Sequence, residues 1–294
     1  MTAIMQETLS IMRARGYHNA DGELIVLPMP RPSLTHVCRG DAESCCKRRV
    51  GSCARAAPMS RDGVAATVHV VCADSVKVAL ALQDAGFNPL TLNMANAKVA
   101  GGGYLRGASA QEESLFRVST LAAHLDDKPF ALPRADRTPL YPIPEYAGVY
   151  TPAAIVFRAS AAEGFALLDV PRQLAFVAIA AFNRPPLLPS GQLTPDAAEG
   201  TREKVRVLFR IARAHGHDTV VAGALGCGAF KNPAAHVAAL FRDVLHEPEF
   251  AGCFQHVVFA IMEDHNSGPG GNSAPFAAAF GVPVQSLASF EARL

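Results

Sequence analysis

The chain has 294 residues, 50% of them hydrophobic and 18% charged, with a formal net charge of +1. That describes an ordinary globular protein able to bury a large core without disulfides or metals. It excludes a protein that binds nucleic acid through overall basic charge. No apolar run reaches the ~18–20 residues that span a bilayer. The start, Met1 to Glu7, lacks the basic and apolar segments of a signal peptide. Seven cysteines, an odd number that includes adjacent Cys45 and Cys46, fit a reduced, cytoplasmic protein.

Residues 1 to about 20 read as a helix, and Leu27 to Pro32 as an extended, proline-broken stretch. Cys38, Cys45, Cys46 and Cys53 follow, interleaved with Lys47, Arg48, Arg49 and Arg55. Four cysteines so close raise the question of zinc, but there is no C-x₂₋₄-C pair and adjacent cysteines rarely share one ion. They read instead as small buried hydrophobes. The basic residues fit a solvated face or a contact with a polyanion.

A regular pattern starts at Thr67. Thr67 to Cys72 is a β-branched run that predicts a strand. Asp74 and Ser75 cap a helix that Gly86 closes. Pro89 to Ala95 is the next strand. Ser109 to about His124 reads as one helix, with Leu115, Val118, Leu121 and Ala122 on one face. Residues 126–153 read as a long loop over one end of the sheet. Two strands follow, Ala154 to Arg158 and Leu174 to Ala180, the second apolar on both faces and so central. After a Pro-rich loop, Pro195 to His215 is a helix with Gly216 closing it, and Asp218 to Leu225 a buried strand. Asn232 reads as an N-cap with Pro233 at the first position of a helix to Leu245. His256 to Met262 is the last clear strand. The alternation predicts an α/β sandwich around a largely parallel or mixed sheet, with residues 66–294 as one domain and residues 1–65 as an N-terminal extension packed on it.

Ligands in such folds sit beyond the carboxyl ends of strands, and two glycine-rich segments fall there. After the strand at 219–225 comes Gly226-Cys227-Gly228-Ala229-Phe230, whose amides before a helix N-terminus suit phosphate. A tight turn that needs small residues explains the same pattern. After the strand at 89–95 comes Asn96, then Gly101, Gly102 and Gly103, then Gln111, Glu112 and Glu113. Three glycines in a row are expected where backbone must approach a ligand or another backbone closely. Neighbouring positions on a helix point about 100° apart, so Glu112 and Glu113 are not expected to face each other as a matched pair. One carboxylate would transfer protons and the other orient substrate. Glu in a first helical turn also simply complements the helix dipole.

These residues resemble the macrodomain-fold poly(ADP-ribose) glycohydrolases of the bacterial type, whose signature is a triple glycine, a short spacer and Gln-Glu-Glu. Here seven residues, Tyr104 to Ala110, separate Gly103 from Gln111. Ser114 to Arg117, Tyr150 to Pro152, Val156 to Arg158 and Gly223 to Phe230 continue the likeness, which covers roughly residues 65–282. It implies a three-layer α/β/α macrodomain-like fold with a mixed sheet, and hydrolysis of the ribose–ribose bond of poly(ADP-ribose) to release ADP-ribose. Glu113 would be the acid/base and Glu112 would hold ribose hydroxyls. Asn96 and Gly101 to Gly103 would meet the distal ribose, with Gln111 beside them. Gly226, Cys227, Gly228 and Ala229 would hold the diphosphate, Phe230 the adjacent sugar and Asp74 the adenine. The implied protein needs no metal or cofactor and acts on poly(ADP-ribose) and ADP-ribosylated proteins as a monomer in the response to DNA damage, with no membrane or direct nucleic-acid partner. The sequence departs from the family at Lys98-Val99-Ala100, Ala234 and Ala181-Phe182-Asn183. A module that binds ADP-ribose without cleaving it is the alternative, followed by an unrelated nucleotide-dependent enzyme and by a thiol enzyme using Cys227.

Overall fold

The computed structural model describes residues 1–28, 34–39, 65–126, 139–264, 266–268 and 270–294. In chain order the elements are α1 (Thr2–Ala14), a β1–β2 hairpin (Gly16–His18, Leu24–Val26), β3 (His36–Arg39), β4 (Thr67–Cys72), α2 (Ser75–Asp84), β5 (Pro89–Met94), α3 (Gln111–Val118) and α4 (Leu121–Leu125). Then come β6 (Ala147–Arg158), β7 (Leu167–Ile179), α5 (Pro195–Ala214), β8 (Thr219–Ala222), α6 (Ala234–Leu245), β9 (His256–Ala260), α7 (Ser273–Phe280), β10 (Val284–Ser286) and α8 (Leu287–Glu291).

Eight strands form one sheet in the order β10-β4-β9-β8-β5-β7-β6-β3. Pairing is parallel from β10 to β7 and antiparallel for β7–β6 and β6–β3. Strand alternation sends neighbouring residues to opposite faces. Val71, Phe157 and Phe176 thus join one core with Val78, Leu82 and Phe116, while Val70, Leu92 and Phe259 join the other with Val207, Phe209 and Phe241. This is the three-layer mixed-sheet architecture expected. Helix α1 inserts Met5, Leu9 and Met12 into the first core. It is tied there by Thr8, whose hydroxyl donates to Arg117 O at 2.9 Å and accepts from Arg158 Nε at 3.0 Å.

Four sequence expectations change. The helix expected over residues 1 to about 20 stops at Ala14, because Arg15 turns left-handed at φ 59° and Gly16–His18 pairs with Leu24–Val26 as a hairpin. The helix expected from Ser109 to His124 is two, because Ser119 is extended, bridges Val156 and caps both sides with its hydroxyl, accepting from Leu121 N and donating to Leu115 O. The stretch read as loop through 153 is already strand from Ala147, with Pro152 lodged where the β6–β7 register shifts between Thr151 and Ala154, a place that needs no N–H. Asn232 is not an N-cap: α6 starts at Ala234, and the Asn232 side chain turns back to the glycine loop. Cys45, Cys46, Cys53, Lys47, Arg48, Arg49 and Arg55 lie outside the described residues, as do 127–138 of the expected loop. No helix among the described residues is long and apolar enough to cross a membrane.

Candidate active site

The site is built where β5 ends. Pro89 to Met94 is almost wholly buried, and the chain leaves it through Asn96, whose Oδ1 accepts from the amides of Lys98 (2.8 Å) and Val99 (3.1 Å). This turn feeds the triple glycine. Gly101 and Gly102 have φ of 71° and 54°, in the left-handed region. A Cβ on Gly101 would fall 2.6 Å from the rings of Phe116 and Tyr104. A Cβ on Gly102 would fall 2.6 Å from Glu113 Oε1 and 3.3 Å from Glu112 Oε2. The glycines are therefore required by protein side chains, where the sequence suggested ligand or backbone.

Glu112 and Glu113 open α3 and are both buried. The expectation that helix geometry parts them holds for their Cα–Cβ bonds but not for their carboxylates. Both long side chains bend to the same glycine, Gly102. Their surroundings differ. Glu112 accepts from Asn96 N (2.8 Å), Gly101 N (3.1 Å) and Asn93 Nδ2 (3.5 Å). Burial pushes its carboxyl up to about 8, against the pull of those donors, and the charge of Glu113 adds to the rise. Glu113 Oε1 accepts from Gly103 N at 2.9 Å, while its Oε2 is buried with no hydrogen-bond partner among the described residues. A buried orphan oxygen in a native site calls for an explanation, and a ligand or reacting group is one.

Gln111 serves as a splint. Its Oε1 accepts from Met94 N (3.0 Å) and its Nε2 donates to Leu92 O (2.7 Å) and Ser75 Oγ (3.2 Å), locking α3 to the end of β5 and to the start of α2. Asp74 caps α2, its Oδ1 accepting from Val76 N (2.8 Å) and Lys77 N (3.4 Å), and burial raises its carboxyl.

The second glycine loop follows β8, the neighbour of β5, and Gly223 packs against Met94. Gly226 has φ of 76°, and a Cβ there would meet Ala181 and Asn232 at 2.6 Å. Asn232 Nδ2 donates to Phe182 O (2.7 Å), Gly226 O (3.1 Å) and Phe230 O (3.3 Å), so one side-chain amide clamps the whole turn. Gly228 and Phe230 are half-buried and Ala229 is exposed, whereas the Cys227 side chain points inward. Burial pushes the Cys227 thiol up to about 12, which removes it as a nucleophile at neutral pH.

Sequence reasoning missed three residues here. Arg117 is fully buried on α3, its guanidinium donating to Ala108 O and facing the charge of Glu113. Tyr141 has a buried hydroxyl that burial raises first, with the charges of Glu112 and Asp126 adding to the rise. Tyr104 donates to Asp126 Oδ2 at 2.9 Å. The signal for Arg117 was its spacing, four residues after Glu113 on one helix face. Tyr141 left none, because it comes from a loop that Ile143 N ties to Ala97 O at 2.8 Å.

A mixed sheet between two helical layers carries two buried carboxylates and a glycine loop on adjacent strand ends, the architecture of a macrodomain-like fold. Residues 5–159 match microbial-type PARG, catalytic domain. The poly(ADP-ribose) glycohydrolase of Thermomonospora curvata is 30% identical, over 95% of this chain and 98% of that one, with a TM-score of 0.75. Its form bound to the inhibitor ADP-HPD gives 30%, 94%, 98% and 0.72. The Deinococcus radiodurans enzyme in complex with ADP-ribose is 28% identical over 85% of this chain and 95% of that one, with a TM-score of 0.65. No curated protein matches the chain. The chain belongs to the microbial-type poly(ADP-ribose) glycohydrolase family, whose members are glycosidases acting on poly(ADP-ribose).

Proposed function

We propose that Glu113 is the acid and base with which this enzyme hydrolyses the ribose–ribose O-glycosidic bond of poly(ADP-ribose), releasing ADP-ribose without a metal. The observation that carries this assignment is the division of labour between the two carboxylates. Glu112 is engaged by three donors, and with burial raising its carboxyl to about 8 it keeps an O–H at neutral pH that can be given to one ribose oxygen. Glu113 is held at one oxygen by Gly103 and keeps the other for proton exchange.

In the reaction Glu113 gives its proton to the departing ribose oxygen. The C–O bond breaks with its electron pair going to that oxygen, leaving an oxocarbenium-like centre. The Glu113 carboxylate then takes a proton from water as the water oxygen bonds to that carbon. The Asn96 oxygen is committed to its turn, so its amide nitrogen is the group left for the distal ribose. The amides of Gly226 to Ala229, held open by Asn232, receive the diphosphate, with Phe230 against the next sugar. Asp74, close to Gln111 through Ser75, takes the adenine amino group. The ADP-ribose complex of the Deinococcus enzyme and the ADP-HPD complex of the Thermomonospora enzyme support ADP-ribose as the group bound.

Glu113→Gln tests the assignment. It should bind ADP-ribose as the parent does by calorimetry, while polymer cleavage falls by about 10²–10⁴-fold, the range for general acid–base catalysis. Cleavage near the parental rate would remove Glu113 from the chemistry.

A further inference from the structure

We propose that His36, Cys38 and His215 form a site for a zinc-class divalent ion, a structural clasp between the edge strand β3 and the end of helix α5. It is independent of the glycohydrolase reading. The donor atoms of the three residues all lie within 4.8 Å of one another. Cys38 Sγ is 3.8 Å from His215 Nε2. With metal–sulfur and metal–nitrogen bonds of about 2.3 and 2.0 Å, ligand atoms of a tetrahedral ion lie about 3.3–3.7 Å apart, so only a small closure is needed. One thiol and two imidazoles form a donor set that suits zinc over magnesium or calcium.

The fold brings these residues together from distant sequence positions. His36 and Cys38 are two apart on β3, so strand alternation puts both on the same face, the face α5 covers. On β6 their partners are Tyr150 and Gly148. Gly148 is in close contact with Ile211 of α5, and a Cβ there would meet Ile211 Cδ1 at 2.8 Å. One turn later α5 ends at His215, stacked on Tyr150 with ring centroids 3.8 Å apart. The glutamates of α3 belong to the layer on the other face.

The surroundings orient the rings as a second shell does. His36 Nδ1 lies 2.9 Å from Leu34 O, which fixes the proton on that nitrogen and puts the lone pair on Nε2. The Tyr150 hydroxyl is held 3.0 Å from His217 Nε2, and His217 Nδ1 lies 3.1 Å from Asn88 O, so the ring that His215 stacks on is itself anchored. Cys38 is fully buried, and both histidines are half-buried.

The full-length protein, stripped with a chelator and dialysed, is titrated with zinc and with cobalt(II). We expect one tightly held ion per chain, a thiolate-to-cobalt charge-transfer band, tetrahedral cobalt d–d bands, and a higher melting temperature with metal than without. Cleavage of poly(ADP-ribose) should be the same in both forms. Bound zinc should protect Cys38 from alkylation, read by peptide mapping. Cys38→Ala and His215→Gln should lose the band, and Cys45→Ser, Cys46→Ser and Cys53→Ser together should keep it. If the Cys38 or His215 variants fail to fold, the parental cobalt spectrum and the protected peptide still decide. No bound metal, a cobalt spectrum without the thiolate band, or protection confined to Cys45, Cys46 and Cys53 overturns the site.

Discussion

A methyl group on Gly102 would lie 2.6 Å from Glu113 Oε1, the oxygen that Gly103 N–H holds. The loop and the carboxylate proposed as the acid/base are thus shaped against each other. Gly102 also sits at a φ of 54°. Gly102→Ala should therefore cost stability by about 1–2 kcal/mol from the left-handed backbone alone. It should lower kcat by about 10²-fold, because Glu113 must move by an appreciable fraction of an ångström. Denaturant unfolding and polymer cleavage of the purified variant measure the two effects separately. A kcat equal to the parent's would mean that the position of Glu113 is not set by the glycine.

The second loop depends on one side chain in the same way. Asn232 supplies hydrogen to Phe182 O, Gly226 O and Phe230 O. Asn232→Ala leaves these carbonyls without that donor, at a cost of about 1–3 kcal/mol. Asn232→Asp should be worse than Asn232→Ala, because it turns a carboxylate oxygen toward carbonyl oxygens. ADP-ribose affinity should fall in both, with the diphosphate amides no longer held in register. Calorimetric titration checks this, and an unchanged affinity in the aspartate variant would detach the clamp from ligand binding.

Much of this was legible in the sequence, for local reasons. The β-branched run at Thr67–Cys72, the Asp74 cap and the strand from Pro89, expected to Ala95 and ending at Met94, are written in residues a few positions apart. The spacing of Gly101–Gly103 to Gln111–Glu113 was enough to suggest one site. What could not be read was set by partners far along the chain. Ser119 breaks a helix because Val156 bridges it, and Asn232 abandons a cap because Phe182 O and the Gly226 turn offer it three acceptors. The same holds for the splint: the family resemblance put Gln111 beside the distal ribose, and nothing local announced that its amide closes on Leu92, Met94 and Ser75. Cys38 shows it most plainly. The sequence grouped it with nearby cysteines, and among the described residues its thiol gathers with His36 and His215, the second far along the chain.

Cys227 provides a test of the chemistry excluded by burial. Its side chain is 5% exposed, its thiol lies 3.7 Å from Leu225 O, and burial pushes its value up to about 12. Cys227→Ala should cleave polymer at the parental rate, and alkylating reagents at neutral pH should leave Cys227 unmodified in the folded protein. Loss of cleavage in the alanine variant, with ADP-ribose binding intact, would bring the thiol into the mechanism.

The pH dependence of stability should carry the mark of Glu112. Its carboxyl titrates at about 8 in the folded protein, raised from 4.5 chiefly by burial. Between these values the folded state holds a proton that the unfolded chain has released, so stability falls as pH rises through that window. Glu112→Gln cannot titrate, and removes this slope. It also loses one acceptor for the amides of Asn96 or Gly101, because one of its two terminal atoms is now a donor, at a pH-independent cost of about 1–3 kcal/mol. The glutamine variant should thus be less stable than the parent near pH 5, and the gap should close or reverse by pH 8. Urea unfolding of both proteins across that range measures the difference, in which the titrating groups not coupled to Glu112 cancel. A gap that stays constant from pH 5 to pH 8 would show that Glu112 is already ionised throughout, held so by its three donors.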